Sequence, residues 1–179
     1  MSLLRGLKII DLSRVLAGPF ATQILGDLGA DVLKIEEPIH GDETRNWGPP
    51  FFKGTSIYFL SINRNKKIKK INFNNSKELA ALLNLISTAD ILLENFRAGH
   101  LKKFGLDYAS LKKINPRLIY VSITGFGQTG PAKEKPGYDL LIQAMSGLMS
   151  LTGPDQHTPT KVGMAVSDIT TGLYAVIAM

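Results

Sequence analysis

The residue best placed to do chemistry is Asp168, the one carboxylate in a stretch of small and apolar residues from Val162 to Met179. The residues after it predict a helix, which places Ser167 or Asp168 at the helix N-terminus. A short polar side chain there caps free backbone N–H groups. The helix dipole also stabilises the ionised carboxylate, which keeps it available as a nucleophile or base. The two interpretations are compatible, and the local sequence alone favours the cap.

Other kinds of catalytic centre find little support in the composition. The chain has no cysteine, so it offers no disulfide, no thiolate nucleophile and no cysteine zinc site. Its three histidines, His40, His100 and His157, are too scattered to indicate a metal cluster. The sequence therefore predicts a site without a metal.

A basic cluster occupies positions 64–70, where five of the seven residues in RNKKIKK are Lys or Arg, in a chain of formal net charge +6. Such a cluster attracts polyanions, either nucleic acid or a phosphorylated small molecule. Lysines also occur on exposed strand edges, where they prevent pairing with other chains. Because the cluster has no aromatic residues on which bases could stack, nucleic acid is disfavoured. The other two interpretations stay open.

Strand and helix patterns alternate along the chain, which predicts an α/β fold with an open, Rossmann-like, mostly parallel sheet and helices on both faces. Strands are expected at 7–12, 31–36, 67–73, 90–95 and 118–124, with a Gly/Pro-rich loop at 38–56. Helices are expected at 18–29, after an N-cap at Asn75 with Glu78 completing a capping box, and at 100–104, 108–114, 138–150 and from 165 onward.

In an open parallel sheet, ligands bind outside the carboxyl ends of the strands. This rule nominates four loops, at 13–18, 37–47, 95–98 and 125–137. Each loop alone is more simply an ordinary turn, and only their shared location indicates a site. The last loop contains GFGQTG, which matches the GxGxxG pattern of dinucleotide sites. Its two prolines prevent the helix that should receive the pyrophosphate, so a dinucleotide site is disfavoured.

Length and composition predict one soluble domain over residues 1–179. The apolar runs fall short of the roughly 18 residues that a membrane span needs. Few residues precede the first predicted strand, so we expect no targeting segment and a cytoplasmic location. The last predicted helix has an apolar final turn and no stop signal, so we expect the chain to be the front part of a larger protein.

Seven segments resemble, in order, the N-terminal part of the class III CoA-transferases, the CaiB/BaiF family. They are RVLAGPFATQILGDLGADVLKIEEP, GDETRNWGPP, NRNKK, ADILLENFRAG, INPRLIYVSITGFGQTGP, GYDLLIQAMSGLM and VSDITTGLYA. Their amino-acid sequences are most similar to those of the succinyl-CoA:dicarboxylate branch, such as the succinyl-CoA:glutarate transferases. The resemblance implies a homodimer of longer chains, in which a smaller second domain and a returning C-terminal segment complete the fold.

The resemblance also implies that Asp168 attacks the thioester carbonyl of an acyl-CoA and passes through an aspartyl anhydride and an aspartyl-CoA thioester. Coenzyme A is then a substrate, the partners are an acyl-CoA and a carboxylic acid acceptor, and neither metal nor cysteine is needed. A cofactor with several phosphates also suits cationic contacts. The implied CoA contacts are Leu16, Ala17, Ile71, Asn74, Asn95, Phe96, Arg97 and Lys103.

Departures from the family pattern narrow the expected activity. The family's racemases use a histidine in a GHD motif, and here that motif reads GYD with Tyr138, a poor proton acceptor near neutral pH. Leu16 and Glu37 differ from the residues of the formyl-CoA:oxalate transferases, which disfavours formyl-CoA and oxalate. The alternatives to an active transferase are an inactive or split-gene fragment and, less favoured, a racemase or a basic nucleic-acid-binding module.

Overall fold

A computed structural model describes residues 2–179 and confirms the α/β fold. The strands are β1 (Lys8–Asp11), β2 (Asp31–Glu36), β3 (Phe51–Phe52), β4 (Thr55–Ser56), β5 (Lys66–Lys70), β6 (Ile91–Glu94) and β7 (Ile119–Ser122). The α-helices are α1 (Ala17–Asp27), α2 (Ile57–Asn63), α3 (Ser76–Ile86), α4 (Tyr108–Ile114), α5 (Asp139–Met145), α6 (Leu148–Thr152) and α7 (Val166–Ala178). Short 3-10 helices cover Glu43–Asn46 and His100–Phe104.

Five strands form one parallel sheet in the order β5-β2-β1-β6-β7, and β3 and β4 form a small antiparallel hairpin. The chain starts at the central strand β1, moves outward through β2 to β5, and then crosses back to β6 and β7. The direction in which successive strands are added to the sheet therefore reverses between β1 and β6. Open α/β sheets form their ligand crevice at such a switch, beyond the carboxyl ends of the strands.

The two faces of the sheet bury separate apolar clusters, because successive residues of a strand point to opposite sides. Ile10 and Leu92 pack on one face against α3 and α4. Ile9 and Ile91 pack on the other face against α1 and α7. The central strands are covered on both sides, as parallel strands usually are, and this explains why they were recognisable as continuous apolar runs.

The helix after β5 begins as the capping box predicts, with one change of partner. The side-chain oxygen of Asn75 accepts hydrogen bonds from the backbone N–H groups of Lys77 and Glu78, at 3.0 and 3.3 Å. The Glu78 carboxylate reaches back to the N–H of Asn72 at 2.7 Å, three residues before the cap. The N-cap is confirmed, and the glutamate anchors the segment that leads into the helix.

Two expectations about helices are corrected. No helix was predicted for IYFLSIN, which forms α2, because seven mostly apolar residues are too few to show a helical period. The helix expected over 138–150 is split into α5 and α6 at Gly147, whose φ of +83° is left-handed and cannot continue a right-handed helix.

The N-terminal halves of α1 and α7 lie against each other at Gly172. A Cβ atom on Gly172 would stand 2.8 Å from the carbonyl oxygen of Ala17, so a side chain there would force the two helices apart. This contact brings the first turn of α7, with Asp168, beside the start of α1. Within residues 2–179, no helix has the length and apolar character required to cross a bilayer.

Candidate functional site

A cleft of about 240 Å³ lies beyond the carboxyl ends of β1, β6 and β7. All four loops nominated by the strand-end rule contribute to its walls, and the first turn of α7 completes it. The four nominated loops therefore meet at one cleft, and binding of a ligand there stays a prediction. Representative wall residues are Arg14, Ala17, Glu43, Asn95, Lys133 and Asp168.

Asp168 is the third residue of α7 and its side chain borders the cleft. Burial, together with the negative charge of Asp139, raises the pKa of Asp168 to about 6. The helix dipole was expected to stabilise the ionised form, but desolvation and the neighbouring carboxylate favour the protonated form, so the pKa is raised. A carboxyl group with a pKa of about 6 is still about nine-tenths ionised at pH 7.

Neither Ser167 nor Asp168 caps α7. The N-cap position is Ala165, which has no side-chain oxygen. Instead, one carboxylate oxygen of Asp139, on α5, accepts the backbone N–H groups of Ser167 at 2.8 Å and Asp168 at 3.3 Å. The N-terminus of α7 is therefore capped as predicted, but by a residue from another helix. The Asp168 side chain is left facing the cleft.

The loop after β1 is held by the side chain of Asn95, which follows β6. The Asn95 amide oxygen accepts the N–H of Arg14 at 2.9 Å, and its amide nitrogen donates to the carbonyl of Arg14 at 2.7 Å. The next residue, Val15, has a left-handed φ of +67°, which costs energy for a β-branched residue. Both polar atoms of Asn95 are thus engaged in fixing the loop that forms one wall of the cleft.

A fully buried ion pair lies beneath the same loop. Lys34 Nζ is 2.9 Å from Asp42 Oδ2, and neither side chain is exposed to solvent. Lys34 Nζ also donates to the carbonyl of Ser13 at 2.7 Å, while Asp42 Oδ1 accepts the N–H and hydroxyl of Thr44. The pair therefore joins β2, the 3-10 helix at 43–46 and the loop after β1.

A second buried network surrounds Asp11, the last residue of β1. Burial alone would raise the pKa of Asp11, but the charges of Lys66 and Lys34 and hydrogen bonds from Ser13 and Thr22 lower it to about 2. Lys66 Nζ is 3.1 Å from Asp11 Oδ2, and both side chains are inaccessible. One cation of the basic cluster is thus an internal partner of Asp11.

The rest of the basic cluster lies on the edge strand β5 or beside it. Arg64 pairs with Asp27 at 2.5 Å and Lys67 with Asp31 at 2.8 Å. Lys70 Nζ donates to the carbonyl of Pro38 at 2.9 Å. These contacts favour the interpretation of the cluster as a protected strand edge.

In the loop that carries GFGQTG, Gly125 serves backbone packing. A Cβ atom on Gly125 would stand 2.4 Å from Cα of Gly137, so the two ends of the loop are in backbone contact. The next helix, α5, begins only at Asp139. The glycine at 125 is required by this close approach, and the helix that follows starts beyond the glycines of the motif.

The predicted CoA contacts fall into two groups. Ala17, Asn95, Phe96 and Arg97 border the cleft together with Asp168. The other four lie away from its walls: Leu16 is buried beside Ala17, the Ile71 side chain is in the apolar core, and Asn74 and Lys103 are exposed. All eight assignments stay predictions.

Aromatic rings connect the two groups. The Phe96 ring stacks on His100 with centroids 5.4 Å apart and planes 5° apart, and the Arg14 guanidinium lies 4.9 Å from the Phe96 centroid. Phe73 contacts both Phe96 and Phe104, at centroid distances of 6.5 and 5.4 Å. A run of aromatic rings, tilted to one another except for the Phe96–His100 pair, therefore extends from the cleft toward Lys103.

Sequence reasoning did not single out several residues at the site. Lys133 and Lys135 border the cleft from a loop that was nominated, but they were not named individually. Tyr58, on α2, was missed with its helix; burial and the negative charges of Asp168, Asp42 and Asp139 raise its pKa to about 12. The hydroxyl of Tyr58 therefore stays protonated near the site. Within residues 2–179, no three His, Cys, Asp or Glu side chains are grouped to hold a metal ion.

Comparison with known proteins gives a consistent result. The family model described as CoA-transferase family III matches residues 4–179. The chain is 50% identical over 175 residues to mouse succinyl-CoA:glutarate CoA-transferase and 48% identical over 170 residues to acetyl-CoA:oxalate CoA-transferase of Acetobacter aceti. These alignments cover 98% and 94% of this chain but only 40% and 43% of the relatives.

A crystal structure of a CaiB/BaiF family protein from Brucella suis superimposes with a TM-score of 0.94 at 52% identity, over 97% of this chain and 47% of that one. The chain thus spans less than half the length of each of these relatives. The family match covers residues 4–179, and the structural match covers 97% of the chain. On this evidence, the chain belongs to CoA-transferase family III.

Proposed function

We propose that this chain supplies the acyl-CoA cleft and the nucleophile of a CoA-transferase, with Asp168 as the nucleophile. The observation that carries the proposal is the position of the Asp168 carboxylate: it borders a strand-end cleft, on the first turn of a helix, in a member of a CoA-transferase family. A pKa of about 6 leaves it mostly ionised at pH 7 and more basic than an ordinary aspartate. Both properties favour attack on a carbonyl carbon.

The proposed reaction is a series of acyl transfers between carboxylate and thiolate. Asp168 attacks the thioester carbonyl of the donor, the C–S bond breaks, and a mixed anhydride and free CoA thiolate result. The thiolate attacks the aspartyl carbonyl, which releases the donor acid and gives an aspartyl-CoA thioester. The acceptor carboxylate attacks this thioester and frees the thiolate, which then takes the acceptor acyl group and regenerates Asp168. No proton is gained or lost overall.

Positive groups around the cleft suit anionic substrates. Arg14, Arg97, Lys133 and Lys135 border it, and charged contacts to phosphate or carboxylate are among the stronger hydrogen bonds in proteins. We propose that some of them hold the phosphates of CoA and others the distal carboxylate of a dicarboxylic acid. The stacked Phe96 and His100 rings lie beside these groups, and we propose that the nucleotide base packs against this aromatic pair.

We propose succinyl-CoA as the donor and a dicarboxylate such as glutarate as the acceptor. The mouse relative is named for these two compounds, and the Acetobacter relative, at similar identity, is named for acetyl-CoA and oxalate. The departures at Leu16 and Glu37 therefore do not remove oxalate from the acceptors to be tested. The expected homodimer and cytoplasmic location remain predictions.

The decisive experiment measures exchange of CoA between acids. The protein is incubated with labelled succinyl-CoA and glutarate, and the acyl-CoA products are separated. We expect glutaryl-CoA to form, Asp168→Asn to abolish its formation, and hydroxylamine to trap the activated aspartyl group. Asp155→Asn, which changes an exposed carboxylate outside the cleft, is the matched control. Full exchange by Asp168→Asn would exclude this residue as the nucleophile.

The alternative of an inactive or split-gene fragment rests on the 40% coverage of the mouse relative. The same assay is therefore run on the 179-residue chain and on a chimera that continues it with the unmatched region of the mouse relative. Exchange by the chimera alone would show that this chain has an intact site but requires the remaining part of the fold. Exchange by neither, with both folded, would support the remnant.

A further inference from the structure

The carboxylate of Asp139 has an unusual set of partners. It is the first residue of α5, yet one of its oxygens accepts the N–H groups of Ser167 and Asp168, the second and third residues of α7. Helices begin with free N–H groups that normally receive a capping side chain from the preceding residue. Ala165 occupies that position here and makes no such bond. Asp139 thus anchors the turn that carries Asp168.

The second oxygen of Asp139 is engaged by Gln143, one turn further along α5. Gln143 Nε2 donates to Asp139 Oδ2 at 2.6 Å, and Gln143 Oε1 accepts the N–H of Val162 at 2.8 Å. Gln143 has no exposed surface. Its side chain thus fixes the Asp139 carboxylate and also holds the segment that leads into α7.

From these contacts we propose that Asp139 is the positioning residue of the site: its carboxylate, held by Gln143, caps α7 from another helix and so fixes the backbone from which Asp168 reaches the cleft. The inference depends on the proposed function in one respect only, the role of Asp168 as the nucleophile. Asp139 itself does not touch the reacting atoms.

The arrangement has an electrostatic consequence. Two carboxylates share one helix N-terminus, and Asp139 takes the N–H groups that would otherwise stabilise ionised Asp168. Burial and the charge of Asp139 together raise the pKa of Asp168. The other charged or titratable side chains around Asp168 are Tyr58 on α2 and the cleft residues Arg14, Glu43, Arg97, Lys133, Lys135 and Tyr138.

Three variants separate the capping role from the charge. Asp139→Asn retains an oxygen that can accept both N–H groups but removes the charge. Asp139→Ala removes both. Asp139→Asn combined with Gln143→Glu restores a donor facing an acceptor within α5 and moves the negative charge one turn along that helix. Glu43→Gln, which removes another negative charge from the cleft without touching α7, is the control.

Two NMR measurements on the 179-residue protein provide the readout. Hydrogen exchange of the Ser167 and Asp168 amides reports the cap, and the ¹³C titration of the Asp168 carboxyl reports its charge environment. We expect exchange to accelerate roughly 2- to 30-fold in Asp139→Ala, as for other lost caps, and to change little in Asp139→Asn with Gln143→Glu, which keeps both the acceptor and its partner. The Asp168 midpoint should fall in Asp139→Asn and move much less in Glu43→Gln.

Unchanged amide exchange in folded Asp139→Ala would overturn the capping role. If Asp139→Ala does not fold, the decision passes to the other two variants: faster exchange of both amides in Asp139→Asn with Gln143→Glu, or an Asp168 midpoint that stays in place in Asp139→Asn, would equally overturn the proposal. Neither measurement requires turnover of acyl-CoA. Absence of exchange in both the chain and the chimera would therefore count against the proposed function without affecting this test, and failure here would leave the exchange assay valid.

Discussion

Replacing Lys34 by methionine should be among the most destabilising single changes in this protein. Methionine keeps most of the aliphatic stem but leaves the Asp42 carboxylate buried without its partner, since both side chains have zero exposure and their charged atoms are 2.9 Å apart. Removing one member of a buried ion pair typically costs about 3 to 5 kcal/mol. The hydrogen bond to the carbonyl of Ser13 is lost as well.

The assay is urea unfolding followed by circular dichroism. With a slope of about 2 kcal/mol per molar, usual for small proteins, a loss of about 4 kcal/mol moves the midpoint down by about 2 M. The double variant Lys34→Met with Asp42→Asn removes the stranded charge while keeping an oxygen for the N–H of Thr44. We expect it to recover about half of the loss, because a buried neutral amide costs less than a buried charge.

Lys67→Met is the matched control. Its ion pair with Asp31 has nearly the same length, 2.8 Å, but the two side chains are 74% and 54% exposed. Exposed pairs contribute about 0 to 1 kcal/mol, so the midpoint should hardly move. The reasoning is refuted if Lys34→Met loses less than about 1 kcal/mol, or if the double variant is no more stable than the single one.

Three further outcomes are expected. Gly172→Ala should lower the free energy of unfolding by about 1 to 3 kcal/mol in urea despite the helix preference of alanine, whereas Gly26→Ala, where a Cβ would meet atoms at 3.4 Å, should not. Because the folded pKa of Asp168 is raised from 3.8 to about 6, wild-type stability relative to Asp168→Asn should fall as pH rises from about 4 to 6, by about 1 to 2 kcal/mol after discounting for exposure; equal pH profiles would contradict this. Asn95→Ala should free the loop at Arg14 and weaken CoA binding about 3- to 10-fold in calorimetry, since two hydrogen bonds are lost; unchanged affinity would contradict this.

The sheet and the location of the cleft were predictable because their signals are local. Buried parallel strands are short apolar runs, and the rule that ligands bind at strand ends needs only the order of elements. The capping residue Asn75 was also found from its own neighbourhood. The resemblance to the family then indicated Asp168, among the acidic residues near those loops, as the proposed nucleophile.

The features that escaped prediction depend on partners distant in sequence. Asp139 caps a turn 29 positions away, and Lys66 meets Asp11 across 55 positions. A lysine on a strand suggests an exposed position when only its sequence neighbours are considered. The burial of Lys34 and Lys66 could therefore not be foreseen. The raised pKa of Asp168 has the same origin, because burial and a carboxylate on another helix outweigh the dipole of its own helix.

The backbone contact between Gly125 and Gly137 holds the end of β7 close to the start of α5. We therefore expect the loop between the two glycines to tolerate changes of length without a shift of either element. In the proposed transferase, the length and charge of this loop, where Lys133 and Lys135 border the cleft, are the first features to vary when acceptor preference is to be altered. The rest of the scaffold need not be redesigned for that purpose.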